Sequence, residues 1–245
     1  METIKIVTLN LAPRKFYRFR SAFHYQALAI KGFIEWNQPD VILAQGLEDW
    51  MLQPLDFITK DYTFYGRSNN GKHNQSDYRN CVMFLKSKFS FLKGSTISLD
   101  TSKKNASCMT CVHLELNRTH QSILFCSTQF KNARHIERCG KNALEIIQEF
   151  PSLTPIVIGG DFSVYKQMND DLLNIKYKTL PQEPISFFKE LVHSTSSQYR
   201  PKDCLYVSRE ITLKEMKPIT SMYMGSFPSH STPMMAVISI PLKEM

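Results

Sequence analysis

The stretch APRKFYRFR sets four cations (Arg14, Lys15, Arg18, Arg20) among three aromatic rings (Phe16, Tyr17, Phe19). Cations neutralise phosphates and flat rings stack on bases, so this composition suits nucleic acid or a nucleotide. The alternative is a helix start with a solvated basic face and buried rings. Four further polar residues stand at the ends of apolar runs: Asn10 after IKIVTL, Asp161 after PIVIGG, Asp203 before CLYVSR, and His230 in PSHSTP. Read singly, Asn10 satisfies local backbone, Asp161 caps a turn, Asp203 is a turn acid and His230 is a solvated loop residue. Cys108 and Cys111 form a C-x-x-C, but no second pair follows at zinc spacing. The surrounding SCMTCVHLEL alternates like a strand, which puts the two thiols on opposite faces. The other histidines (His24, His73, His113, His120, His135, His193) have no partner pattern and read as surface or core residues.

The elements that must position these residues are mostly short and β-like. IKIVTLNL (4–11) is a β-branched apolar run and DVILAQ a second buried strand. Between them SAFHYQALAIKGFIEW (21–36) spaces its apolar residues at helical intervals, with Ser21 as a possible cap. YTFYGR, NCVMFLKSKF, GSTISL, SCMTCVHLEL and SILFCSTQF read as strands, and ARHIERCGKNALEIIQEF (133–150) as a long helix. TPIVIGGDFS (154–163) reads as a buried strand ending in a Gly-Gly turn. DCLYVSR (203–209) and MMAVISIPL (234–242) close the pattern. Strand-rich runs with a few helices between them predict an α/β (α+β) chain: two packed mixed β-sheets flanked by helices, a four-layer sandwich. One doubly wound parallel sheet is the alternative, weakened by the hairpin-like run from 62 to 130. No linker divides the chain, so residues 1–245 are expected to form a single domain.

Lys and Arg outnumber Asp and Glu by 30 to 22, and a net charge of +8 favours a polyanion: nucleic acid, a phosphorylated metabolite or an anionic lipid surface. No apolar run approaches the roughly 18 residues of a membrane span. The N-terminus lacks the order of a signal peptide, since Glu2 precedes the apolar run and the basic residues follow it. The expected location is therefore intracellular, cytoplasmic or nuclear. Six cysteines, most of them inside apolar runs, fit a reducing compartment.

The order of short motifs resembles the endonuclease/exonuclease/phosphatase superfamily, the deoxyribonuclease-like fold. IKIVTLN stands for the first strand ending in Asn, PDVILAQG for the family's PDVIxLQE, and RNCVMFLKSKF for GNAILYR-x-x-F. STQF stands for THL, GGDFS for GDFN, DCLYVS for DYIL and PSHSTPM for SDHxPV. The likeness runs from residue 4 to about 240 with the order kept throughout.

The resemblance implies metal-assisted cleavage of a phosphate ester at one end of the sandwich. Mg²⁺ would be held by oxygen ligands, chiefly the Glu of QE and the Asp of SDH. The Asp of GDFN would position or deprotonate water. Its Asn and the His of THL would hold phosphate oxygens, and the final His would stabilise the charged transition state. On that pattern Asn10, Asp161, Asp203 and His230 are retained as catalytic positions. The metal Glu falls on Gly46, the SDH Asp on Ser229, the THL His on Gln129 and the GDFN Asn on Ser163. Gln129 and Ser163 can still hydrogen-bond a phosphate. Gly46 and Ser229 cannot replace two carboxylates. A shifted metal site would use Glu48 and Asp77 with Asp161, whereas Glu48 and Asp49 could instead be first-turn acids of a following helix.

Three readings follow. One is a member of impaired catalysis that binds phosphate-bearing ligands or nucleic acid in a basic cleft, with Arg14, Lys15, Arg18 and Arg20 on its border. The second is an active Mg²⁺-dependent phosphodiesterase or phosphatase with displaced ligands. The third is a protein-interaction module. Mg²⁺ is the expected cofactor only in the active case.

Overall fold

Period-two alternation sorts the strands onto two kinds of core. In β1 (Glu2–Asn10), Ile4 and Ile6 face one buried cluster while Val7 and Leu9 face another. Such a strand is covered on both faces, as the central strands of a sandwich must be. The computed structural model describes residues 2–11, 20–66, 79–99, 107–129, 154–161, 203–208 and 210–240, with 142, 143, 145, 147 and 150 besides.

After β1 come α1 (Arg20–Asn37), β2 (Val41–Leu47), a 3-10 turn (Asp49–Met51) and the short α2 (Asp56–Thr59). Then follow β3 (Tyr62–Tyr65), β4 (Arg79–Leu85), β5 (Phe89–Ser98), β6 (Cys108–Leu116) and β7 (Ser122–Gln129). The chain continues through β8 (Ile156–Asp161), β9 (Asp203–Val207), β10 (Thr212–Pro218) and β11 (Met234–Ile240). One sheet has the order β10-β11-β1-β2-β4-β3 and the other β5-β6-β7-β8-β9. Both are mixed: β1 runs parallel to β2 and β7 to β8, and the remaining pairs are antiparallel.

The inner faces meet around Ile6, Leu43, Phe84, Val112, Phe125 and Leu205. Phe33 and Phe23 of α1 and Ile58 of α2 cover the outer face of the first sheet. On the outer face of the second, Met109, Cys111 and Cys126 pack with Phe150, Ala143 and Ile147; residues 143 and 147 are helical. Helix, sheet, sheet and helix give the four-layer sandwich expected from the sequence, and the single doubly wound sheet falls away. Cys108 and Cys111 lie on opposite faces, with Cys111 in the outer cluster. The Cys111 and Cys126 sulfurs stand 3.0 Å apart as free thiols, and burial pushes the Cys126 thiol up. Among the described residues no helix is long and apolar enough to cross a membrane.

Besides the turn at 86–88, which divides NCVMFLKSKF between β4 and β5, the structure departs from the sequence reading in three places. Gly159 and Gly160 form no turn: they are strand residues, paired with Leu205 and Cys204. A Cβ on Gly159 would lie 2.5 Å from Leu43 and 2.6 Å from Leu205, and one on Gly160 would lie 1.8 Å from the Thr128 carbonyl oxygen. The missing side chains let the sheets and strands close up. Secondly, β2 runs two residues past DVILAQ, to Leu47. Thirdly, β10 was not foreseen: TLKEMKP is a largely exposed edge strand whose charges hide its periodicity. Most of the helix expected over 133–150 lies outside the described residues.

Candidate functional site

Each sheet contains one parallel pair, and the carboxyl ends of the two pairs meet. Asn10 is the register partner of Gln45 at the end of β1/β2, and Gln129 is that of Asp161 at the end of β7/β8. The Asn10 side-chain amide donates to Asp161 Oδ2 at 3.1 Å, across the gap between the sheets. Gln129 Nε2 approaches the same oxygen at 3.5 Å, the limit of a hydrogen bond. Asp203 is the register partner of Asp161, so the two carboxylates share a face on neighbouring strands. Asp203 is fully buried, and its Oδ1 accepts a 2.6 Å bond from the Ser231 hydroxyl.

The loop before β11 closes the cluster. Ser229, 1% exposed, accepts from the Asn10 N–H (2.9 Å) and donates to the Asn10 carbonyl (3.1 Å). The His230 N–H donates to that same carbonyl at 2.7 Å, and the His230 residue is exposed. Asn10, Gln129, Asp161, Asp203, Ser229 and His230, separated by up to 220 positions in the chain, are thus gathered at one end of the sandwich.

Gly46 lies beside them in an unusual backbone. Gln45 points inward, its amide donating to Ser127 Oγ at 3.0 Å, while Leu47 belongs to the helix-side cluster. Residues two apart should share a face, so one residue is bulged out; the pairing with β4 shifts register between Ala44 and Leu47. Gly46 is that residue, with φ of 72°, a left-handed conformation suited to glycine. Leu11 N–H still reaches the Gln45 carbonyl at 2.7 Å, so the bulge keeps β1 and β2 joined.

Glu48 begins the 3-10 turn. Its Oε2 accepts a 2.6 Å bond from the Trp50 indole, which packs edge-on to Phe23 of α1 at 5.0 Å. Asp49 is in the first turn. Asp77, Ser163, Arg14, Lys15 and Arg18 lie outside the described residues, and Arg20 opens α1. Sequence reasoning passed over three supporting residues: Asn80, Ser231 and Trp50. Asn80, 1% exposed, donates to the Cys108 carbonyl at 2.9 Å, tying β4 to the strand beside Gln129. An Asn amid the apolar residues of NCVMFL was the available signal.

Mg²⁺ wants about six oxygen ligands in tight octahedral geometry, carboxylates among them. The two positions matched to its carboxylate ligands do not fit it. No group of three or more His, Cys, Asp or Glu gathers among them. Gly46 has no side chain, the Ser229 hydroxyl is spent on the Asn10 backbone, and Glu48 Oε2 is taken by Trp50. The cleft instead aims amide donors at Asp161.

No family model matches the chain, and no curated protein matches it. Solved structures do. An endonuclease/exonuclease/phosphatase from Bacteroides vulgatus superposes with a TM-score of 0.79 at 14% identity, over 98% of this chain and 100% of that one. The human Nocturnin catalytic domain with bound sulfate gives 0.72 at 15%, over 98% and 95%. D. rerio TDP2 complexed with single strand DNA product gives 0.68 at 14%, over 98% and 100%. The chain therefore has the endonuclease/exonuclease/phosphatase fold, as its motif order implied.

Proposed function

We propose that this chain binds phosphate-bearing ligands or nucleic acid in the cleft at the carboxyl ends of its parallel strand pairs, with hydrolysis impaired. The observation that carries this reading is the cluster itself. Asn10 and Gln129 bring amide donors suited to anionic oxygens, while the two positions matched to metal carboxylates are Gly46 and Ser229. A net charge of +8 draws polyanions to the molecule. Bound sulfate in Nocturnin and single strand DNA product in TDP2 support the ligand class by analogy. In this reading Asp161, Asp203 and His230 line the cleft, Ser163 joins Gln129 at the ligand, and residues 1–245 work as one domain inside the cell.

One observation favours a second reading, an active metal-dependent phosphoesterase: Asp161 and Asp203 are paired across β8 and β9 on the same face. Glu48 or Asp77 would then complete a displaced Mg²⁺ site.

The test is hydrolysis over DNA, RNA, nucleotide and inositol-phosphate substrates with Mg²⁺, Mn²⁺ or EDTA, an Asp161→Ala protein run alongside. The expected result is no turnover above that of Asp161→Ala, together with salt-sensitive binding to single-stranded DNA. Metal-dependent turnover lost in Asp161→Ala would establish the second reading. Absence of both turnover and binding would leave the protein-interaction module.

A further inference from the structure

Of the two positions that depart furthest from the resemblance, Ser229 bonds Asn10 directly and Gly46 follows the strand partner of Asn10. Gly46 follows Gln45, the register partner of Asn10, in a bulge that leaves the Gln45 carbonyl accepting from Leu11. Ser229 bridges the N–H and the carbonyl of Asn10, and His230 N–H adds a second bond to that carbonyl. Where two carboxylates would have faced an ion, Ser229 braces the end of β1 and Gly46 forms a bulge in the neighbouring strand. The brace holds the Asn10 amide 3.1 Å from Asp161 Oδ2, an oxygen that a cation would otherwise claim.

We infer that this cleft holds its phosphate-bearing ligand without a divalent cation, and that Ser229, opposite the bulge at Gly46, now positions Asn10 in place of ligating metal. This rests on the phosphate-binding reading above. The change is one of backbone as well as side chain. At φ of 72° an L side chain on residue 46 is strained. At 1% exposure, a carboxylate on residue 229 would be buried against the Asn10 carbonyl. The remaining acids are poorly placed for a hydrated ion. Asp203 is fully buried with Ser231 on Oδ1, and Asp161 Oδ2 already faces two amides.

Two measurements on the full chain test this. The first is Mn²⁺ binding, by electron paramagnetic resonance and calorimetry, to the wild type and to the Gly46→Glu/Ser229→Asp protein. We expect no saturable site in either, and a lowered Tm in the double variant. A saturable Mn²⁺ site in the wild type that disappears in Asp161→Asn would overturn the inference. A new site created by the double variant would overturn only the part given to the backbone, because the bulge would then not bar a ligand, and a wild type still without a site would keep the cation-free reading. The second is binding of a 5′-phosphorylated single-stranded oligonucleotide with Mg²⁺ or with EDTA, at matched ionic strength. The affinities should agree within about twofold, since a cation that makes no contact shifts no equilibrium. A fall of about tenfold or more in EDTA would reject a cation-free site. An oligonucleotide that binds under neither condition would count against the phosphate-binding reading, and the Mn²⁺ titration would still decide the metal question.

Discussion

Burial holds the His113 imidazole below its ordinary proton affinity; Glu115 opposes the shift and Lys93 adds to it. The ring lies edge-on to Phe150 at 6.0 Å, and its Nε2 is buried with no partner among the described residues. Between the lowered value and the usual value of about 6.5, the unfolded chain holds more protons here than the folded one. Stability therefore rises with pH through that window and is lost on acidification. Melts from about pH 7.5 down to about pH 5 should show a shallower fall in Tm for His113→Gln than for the wild type; equal slopes would unlink this imidazole from folding. Residue types at the cleft were legible in the sequence: set against the resemblance, Gly46 and Ser229 stand where carboxylates were expected. Conformation was not. Nothing in AQGLEDW gives the sign of φ at Gly46, because a bulge is settled by which faces Gln45 and Leu47 must bury. The bonds of Ser229 to the Asn10 backbone are likewise invisible in the sequence, because the two residues lie 219 positions apart.

At the scale of elements, β8 leaves no room for side chains at its two glycines. It joins the cleft to the core, and its two glycines are set by contact with Leu43, Leu205 and the Thr128 carbonyl. Gly160→Ala should cost about 3 kcal/mol or more, because backbone of β7 would have to move. A urea titration reads this as a lowered midpoint, and an unchanged midpoint would mean that the two strands separate easily. The sequence revealed β1, β2, β6, β7 and β8 because they are buried on both faces and rich in β-branched or aromatic residues. It hid β10, whose Lys214, Glu215 and Lys217 follow the needs of an exposed edge, with Lys217 paired to Glu215 at 2.6 Å. The Gly-Gly pair misled for a related reason. Glycine marks turns and close approaches alike, and only the second sheet shows which applies.

For the whole molecule, charge is the property that reaches furthest. An excess of eight positive charges should make association with single-stranded DNA fall steeply with salt. Arg14→Ala with Arg18→Ala should weaken binding at low salt and lower the slope of log K against log salt by about 2. A filter-binding titration with unchanged affinity would remove that stretch from the interface. Motif order made the sandwich legible over nearly its full length, since each motif lies on or beside a strand and the strands meet in a fixed order. Their meeting has a further consequence. β1 is an inner strand with β2 on one side and β11 on the other, and Glu2 pairs with Ile240. During synthesis β1 soon meets β2, but its other edge must wait for β11. Until then an apolar strand stands open on one side, and the nascent chain must be kept from pairing with its neighbours.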